Sequence, residues 1–266
     1  MATNTPALLA RLYPALGATP TRFNVSNKAL TSNLATITTS ALHGITQVGT
    51  LVTIQGVDTV FDGTYLIHSI PTTSTFTYVK TNANVTSAAV SPVGIATFNT
   101  GASGFTGGLV TNKVVQNNIA TITTNVAHGL VAGDSVAVTI GDTIYDSLDI
   151  SIIAVPTTTT FSYIVTTTTA ATTAVTQGAW GKWPSVYTVP ALTSTIATNI
   201  VVTNASTSAS TFSICLNRVC LAFQQTIAAN TSAYFDIKQD LDATQTIVVA
   251  SPSPRVACQI SGMTVV

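Results

Sequence analysis

Nine basic residues balance nine acids in this chain of 266 residues, and every acid is Asp. Charged residues make up only 7%, against roughly a quarter in an ordinary soluble domain, and they are scattered, which excludes the clustered Lys and Arg that phosphate contacts require. Thr, Ser, Asn or Gly interrupts every apolar run, which excludes a membrane-spanning helix, and abundant Thr, Val, Ile and Ala without any Glu favours pleated sheet over long helices.

Residues 1–24 read as an N-terminal arm. Pro6 to Tyr13 suits one or two helical turns, with Thr5 as N-cap and Pro6 at the first helical position, stopped by Pro14 and Pro20. So short a segment cannot bury its apolar side alone. Leu8, Leu9, Leu12 and Tyr13 are therefore candidate contacts, and a neighbouring molecule is preferred over the chain's own modules. The Pro6–Ala10 run is too short for a secretion signal, and Arg11 stands where a cleavage site would fall.

A first β module spans 25–98. Alternation in Leu34–Thr38, Leu51–Ile54, Tyr65–Ile70 and Thr75–Val79 marks short strands, with His43-Gly44, Gly56 and Asp62-Gly63 at the turns. A Gly-rich stretch over 99–112 reads as a linker. A second module over 113–179 repeats the first. Asn33 to Thr39 followed by His43-Gly44 returns as Asn118 to Thr124 followed by His128-Gly129, and Ile70 to Tyr78 returns as Val155 to Tyr163, both at an offset of 85 residues. A period this long signals a duplicated domain rather than a solenoid repeat.

Residues 180–266 read as a β-sandwich. Trp180 and Trp183 flank Gly181-Lys182 and suit a joint that packs one module on the next or on another subunit. Seven candidate strands follow: Ser185–Val189, Thr198–Asn204, Thr211–Leu216, Val219–Phe223, Ser232–Ile237, Thr246–Ala250 and Val256–Val265. The fold class expected is thus all-β: two duplicated small barrels or sandwiches, then a β-sandwich, preceded by a short arm.

Candidate chemistry is sparse. If Asn217-Arg218 is a two-residue hairpin loop, Cys215 faces Cys220, and the pair is either a disulfide or two free thiols packed as small hydrophobes. Free thiols are expected for a chain without a secretion signal. The repeated His43 and His128 read as side chains that hydrogen-bond the turn beside Gly, rather than a ligand or base used twice. Asp58 with Asp62 and Asp142 with Asp146 recur at four-residue spacing; Asx-turns explain them without calcium. No Cys-x-x-Cys, nucleophile elbow, phosphate loop or dinucleotide fingerprint occurs, so neither a metal, a cofactor nor an enzyme is expected.

The run Ala127-His128-Gly129-Leu130 through Gly133-Asp134, the Val138-Thr139-Ile140 strand and Val155 to Phe161 together resemble a small β module common in virion proteins of tailed bacteriophages. The first module departs from it, with Gln47-Val48-Gly49-Thr50 in place of the Gly-Asp. The last module is similar to a phage virion sandwich at Val186 to Ala191, Val201 to Asn204, Thr211-Phe212 and Ile227 to Thr231. The resemblance implies a non-enzymatic virion structural protein assembled in the host cytoplasm. A capsid decoration or cement protein is the leading expectation, bound to the major capsid protein and self-associated, with a trimer favoured. The alternative is a tail or neck fibre or adaptor that touches other tail proteins or the host surface, with Tyr145, Tyr163 and Tyr187 offered to glycans. Neither reading involves nucleic acid, membrane or cofactor.

Overall fold

Every regular element of the computed structural model is a strand, as the Thr, Val and Ile alternation requires; the structure describes residues 4–13, 20–99 and 106–265. In chain order, β1 (Asn4–Leu12) is followed by β2 (Pro20–Thr31), β3 (Leu34–Thr39), β4 (Leu51–Gln55), β5 (Gly63–Thr72), β6 (Thr75–Val79) and β7 (Val85–Asn99). The chain continues with β8 (Gly107–Gln116), β9 (Ile119–Thr124), β10 (Ser135–Thr139), β11 (Ser147–Ser151), β12 (Ala154–Thr157), β13 (Thr160–Ile164), β14 (Thr169–Ala174) and β15 (Ala179–Lys182). Last come β16 (Tyr187–Thr188), β17 (Ser194–Asn204), β18 (Ser210–Leu216), β19 (Val219–Ile227), β20 (Thr231–Leu241), β21 (Thr246–Ala250) and β22 (Val256–Val265). The strands fall into two units, one running from β2 to Lys182 and the other joining β1 to everything from Trp183 onward.

In the first unit, β2–β3–β6–β5–β4–β7 close into a barrel. Its wall alternates: Ala35, Ile37, Val52, Ile54, Phe76 and Tyr78 point inward and are fully buried. The second module pairs its strands in the corresponding order, β8–β9–β13–β12 on one side and β8–β15–β10–β11 on the other, with β14 also on β8. Here the counterpart of β5 is split into β11 and β12. Backbone bonds from Ile152 to the Asp134 carbonyl (3.0 Å) and from Ile153 to the Ser162 carbonyl (2.9 Å) carry the pairing across the break. In both modules a two-residue turn with left-handed backbone opens the repeat, Ser32-Asn33 in one and Asn117-Asn118 in the other.

The module boundaries differ from those read in the sequence. The first barrel starts at Pro20 rather than residue 25, because the long β2 must pair with both halves of β7. The expected linker is in part strand: Gly107 to Asn112 belong to β8, while Gly101 to Phe105 lie outside the described residues. Gly108 suits a strand here because a Cβ would come within 3.0 Å of the Trp180 indole nitrogen. The second module runs on to Lys182, since β15 pairs with both β8 and β10.

The two modules of this unit meet directly. Leu66, Ala137 and Ala179 form a small buried cluster edged by Leu51 and Leu148, and the Gly178 N–H donates to His68 Nδ1 at 3.3 Å. Gly49, at φ +80°, lies so close to the second module that a Cβ would sit 2.2 Å from the Trp180 carbonyl oxygen.

In the second unit, the sheets β1–β22–β17–β20 and β16–β21–β18–β19 enclose a core of Ile200, Val202, Phe212, Ile214, Ile247, Val249 and Ile260. Each of the seven strands expected here has its counterpart, and β1 is an eighth. The arm is therefore corrected: Asn4–Leu12 is an extended strand paired antiparallel to β22 of its own chain, from Asn4↔Val265 to Leu12↔Cys258. A strand satisfies this segment better than a helix because Leu9, Ala10 and Leu12 reach the sandwich core, and a bulge between Leu8 and Ala10 accommodates the break in alternation. Pro6 is tolerated at the sheet edge.

Candidate interaction surfaces

The repeated polar residues do structural work. His43 is buried, and its Nδ1 accepts the Ile45 N–H at 3.1 Å; His128 repeats the arrangement with the Leu130 N–H at 3.0 Å. Gly44 (φ +68°) and Gly129 (φ +63°) turn the chain so that each imidazole can fold back. The rings then stand edge-on to core aromatics, His43 to Phe76 and Phe98, His128 to Phe161 and Trp180. The turn role fits both histidines.

The paired aspartates cap loops. Asp58 Oδ1 accepts the N–H groups of Val60 and Phe61, and Asp62 accepts those of Gly56 and Val57. In the second copy Asp142 accepts from Ile144, and Asp146 from Ile140 and Gly141. Lys28 pairs with Asp58 and lies 5.5 Å from the Phe61 ring; Lys113 pairs with Asp142 and lies 4.9 Å from the Tyr145 ring. Among the described residues no cluster of three potential metal ligands occurs.

Asp146 gives the fold a pH dependence. Burial pushes its carboxyl up to about 6, with the nearby Asp142 adding to the rise against the backbone N–H bonds. A carboxyl raised in the folded state contributes most while protonated, so its contribution is complete below the ordinary carboxylate range and fades as pH rises to about 6. Asp58 and Asp142 act in a lower window. Burial raises each, but the lysine partner and backbone N–H groups outweigh it and hold both below the ordinary value, so their contribution is lost only in stronger acid. Burial also lowers His68, which opposes Asp146 by disfavouring the fold as pH falls. We predict that Asp146→Asn removes a downward component of stability between about pH 4 and 6. Thermal melts of variant and wild type across that range check it; parallel curves would refute it.

The place of Gly133-Asp134 is taken in the first module by Gly49-Thr50, so the glycine is kept and the aspartate is not. Gly49 N–H donates to the Ile67 carbonyl at 2.7 Å just as Gly133 N–H donates to that of Ile152 at 2.7 Å. Asp134 holds the Val131 N–H and the Lys182 ammonium, whereas Thr50 donates its hydroxyl to the Gln47 carbonyl.

Several expected contact residues are placed otherwise. Trp180 is 1% exposed: its ring packs within the second module's core, while its carbonyl oxygen faces Gly49 of the first module. Trp183 is buried too. Leu9 and Leu12 pack on the sandwich core, leaving Leu8 and Tyr13 exposed on the arm. Tyr145 and Tyr163 are buried, and the Tyr163 hydroxyl donates to the Tyr145 carbonyl at 2.7 Å, so neither is offered to a glycan. Cys215 and Cys220 are a disulfide rather than free thiols. Asn217 and Arg218 both adopt left-handed backbone, and the resulting tight turn sets Cys215 directly opposite Cys220.

Three exposed apolar residues that sequence patterning did not single out follow one another along β19. This strand ends its sheet, pairing with β18 alone among the described residues. Val219 is 74% exposed, Leu221 45% and Phe223 48%. Nothing from Val219 to Ile227 carries a charge. Edge strands are normally guarded by Lys, Pro or a bulge; β19 has neither Lys nor Pro, and its register on β18 shifts between Cys220 and Ala222 and again between Ala222 and Gln225, with left-handed backbone at Gln224.

No protein-family model matches the chain, and no curated protein matches it. Among solved structures it is similar to a phage phi92 endosialidase, at 12% identity and a TM-score of 0.26 over 66% of this chain and 30% of that one. It is also similar to a cycloalternan-forming enzyme from Listeria monocytogenes, solved with a pentasaccharide substrate, at 11% identity and a TM-score of 0.18 over 88% and 30%. The chain thus spans less than a third of either protein. At these scores neither likeness carries an activity over to this chain. The expectation that the chain is not an enzyme is withdrawn: the structures named here include enzymes, and missing motifs do not by themselves exclude catalysis. One likeness is to a phage protein, and the comparisons go no further toward the resemblance to virion modules.

Proposed function

We propose that this chain is a structural component of a tailed-phage virion, bound to the outside of the shell as a decoration protein. The observation that carries the reading is the uncharged edge strand β19, paired on one side with β18 and, among the described residues, with no strand on the other, with Val219, Leu221 and Phe223 exposed. A charge-poor surface with a bare apolar strand edge is suited to burial against other protein. Many copies, each burying such an edge on the major capsid protein, would stabilise the assembled shell by mass action. The anchoring role assigned to the arm in the sequence passes to β19, because the arm's Leu9 and Leu12 are already committed to the sandwich.

The test is the copy number of the chain per purified particle, measured by quantitative mass spectrometry against the major shell protein. A ratio near one copy per shell subunit, or one per three, supports decoration; a handful of copies per particle overturns it in favour of a neck or tail position. Leu221→Asp and Phe223→Asp change half-exposed side chains outside the sandwich core, so both variants are expected to fold and to load onto particles at least tenfold more weakly, the loss that about 1.4 kcal/mol produces. Wild-type loading of both would remove β19 from the interface.

A further inference from the structure

We propose that β1 is an exchangeable strand, and that the β22 edge of the sandwich is a docking site for residues 4–12 of a second copy of the chain. The site is shaped for this segment. Its backbone pairs with β22 from Asn4↔Val265 through Leu12↔Cys258, and Leu9, Ala10 and Leu12 enter the core cluster. Gly262 leaves the room that Leu9 fills: a Cβ there would sit 2.7 Å from Leu9 Cδ1 and 2.4 Å from the Ile196 carbonyl oxygen. The whole register is thus built around one occupant, and a second copy supplies that occupant unchanged.

Connectivity makes exchange inexpensive. β1 is not joined to the sandwich by a hairpin. In the sequence it precedes the entire first unit, and the chain returns to the sandwich only at Trp183. Its sole strand partner among the described residues is β22. When β1 leaves, every β16–β21 and β17–β20 pairing remains, and the backbone bonds and apolar contacts it gives up are restored identically on another molecule. Between β1 and β2 the sequence offers only the residues from Tyr13 to Thr19 as a tether. A strand passed from copy to copy is a heterologous contact, and it closes into a ring when the rotation permits. An empty β22 edge would otherwise expose backbone donors and acceptors beside a gap in the core, so each sandwich requires a β1 from some source. The inference stands on the sandwich alone and holds whether or not the chain decorates a particle.

Leu12 and Cys258 are directly opposed, and Cys258 is a buried free thiol, so Leu12→Cys places a second thiol where oxidation traps the pairing. The variant chain is purified, held at the highest soluble concentration, oxidised, and run on denaturing gels without reductant. Exchange predicts covalent dimers and higher species that collapse to monomer on reduction and are absent when Cys258→Ala is added. Cross-linked monomer alone, at every concentration, overturns the proposal. Light scattering of the wild type supplies a readout that needs no cross-link: an oligomer that dissociates when Leu9→Asp blocks strand docking supports exchange, and a wild type monomeric throughout overturns it.

Discussion

Gly49→Ala is expected to destabilise the first unit by about 3 kcal/mol or more, a large loss for removal of no side chain at all. Two costs add. At φ +80° a Cβ presses on its own carbonyl, which takes about 1–2 kcal/mol. The added carbon would also stand 2.2 Å from the Trp180 carbonyl oxygen and 2.9 Å from both Gly107 Cα and Gly108 N, all backbone atoms that no rotamer change can move. The modules must separate locally, and the neighbouring bond from Gly178 to His68 should weaken with them. Gly44→Ala is the control. It shares the left-handed backbone, at φ +68°, but a Cβ there meets nothing within 4 Å, so only the backbone cost of about 1–2 kcal/mol applies. Denaturant titration of both variants, with hydrogen exchange read at Gly178, checks the pair. Equal losses at the two glycines would mean that the modules do not press on each other at Gly49.

How much of this was legible in the sequence depended on whether a residue's partners were near in the chain. The His-Gly turns were legible, since the imidazole bonds an N–H only two residues away. So were the Asx loops, closed within six residues or fewer, and the Cys215 to Cys220 register, which one tight turn defines. The oxidation state of that pair was misjudged because compartment was weighed above geometry. The arm was misread for the opposite reason. Pro6 to Leu12 satisfies a helical pattern locally, and its true partner, β22, is at the far end of the sequence. Exposure on β19 escaped notice because an alternating strand reads the same at a sheet's edge as in its middle. The aromatics assigned to glycans failed similarly: Tyr145 and Tyr163 sit in loops or strands whose burial is set by cross-barrel neighbours.

Trp180→Ala is the second large effect expected, a loss of about 3–5 kcal/mol from the second module. Its ring is fully buried, edge-on to His128 at 6.0 Å and to Phe161 at 5.9 Å. The tryptophan looked like punctuation because it stood beside Gly181, Lys182 and Pro184 and outside the recognised repeat. Its counterpart is Phe98: Val52 pairs with Phe98 in the first barrel as Val138 pairs with Trp180 in the second, and each ring meets the repeat histidine. The offset between them is 82 residues rather than 85, because β7 is one strand where β14 and β15 are two. A three-residue slip was enough to hide the match. If the equivalence holds, Trp180→Phe should recover much of the loss seen with alanine, since phenylalanine already fills the same place in the first module, whereas a residue at a joint between modules would show no such preference. Chemical denaturation of the two variants beside wild type makes the comparison. A cost for Trp180→Ala below about 1 kcal/mol would return the residue to the joint first read for it.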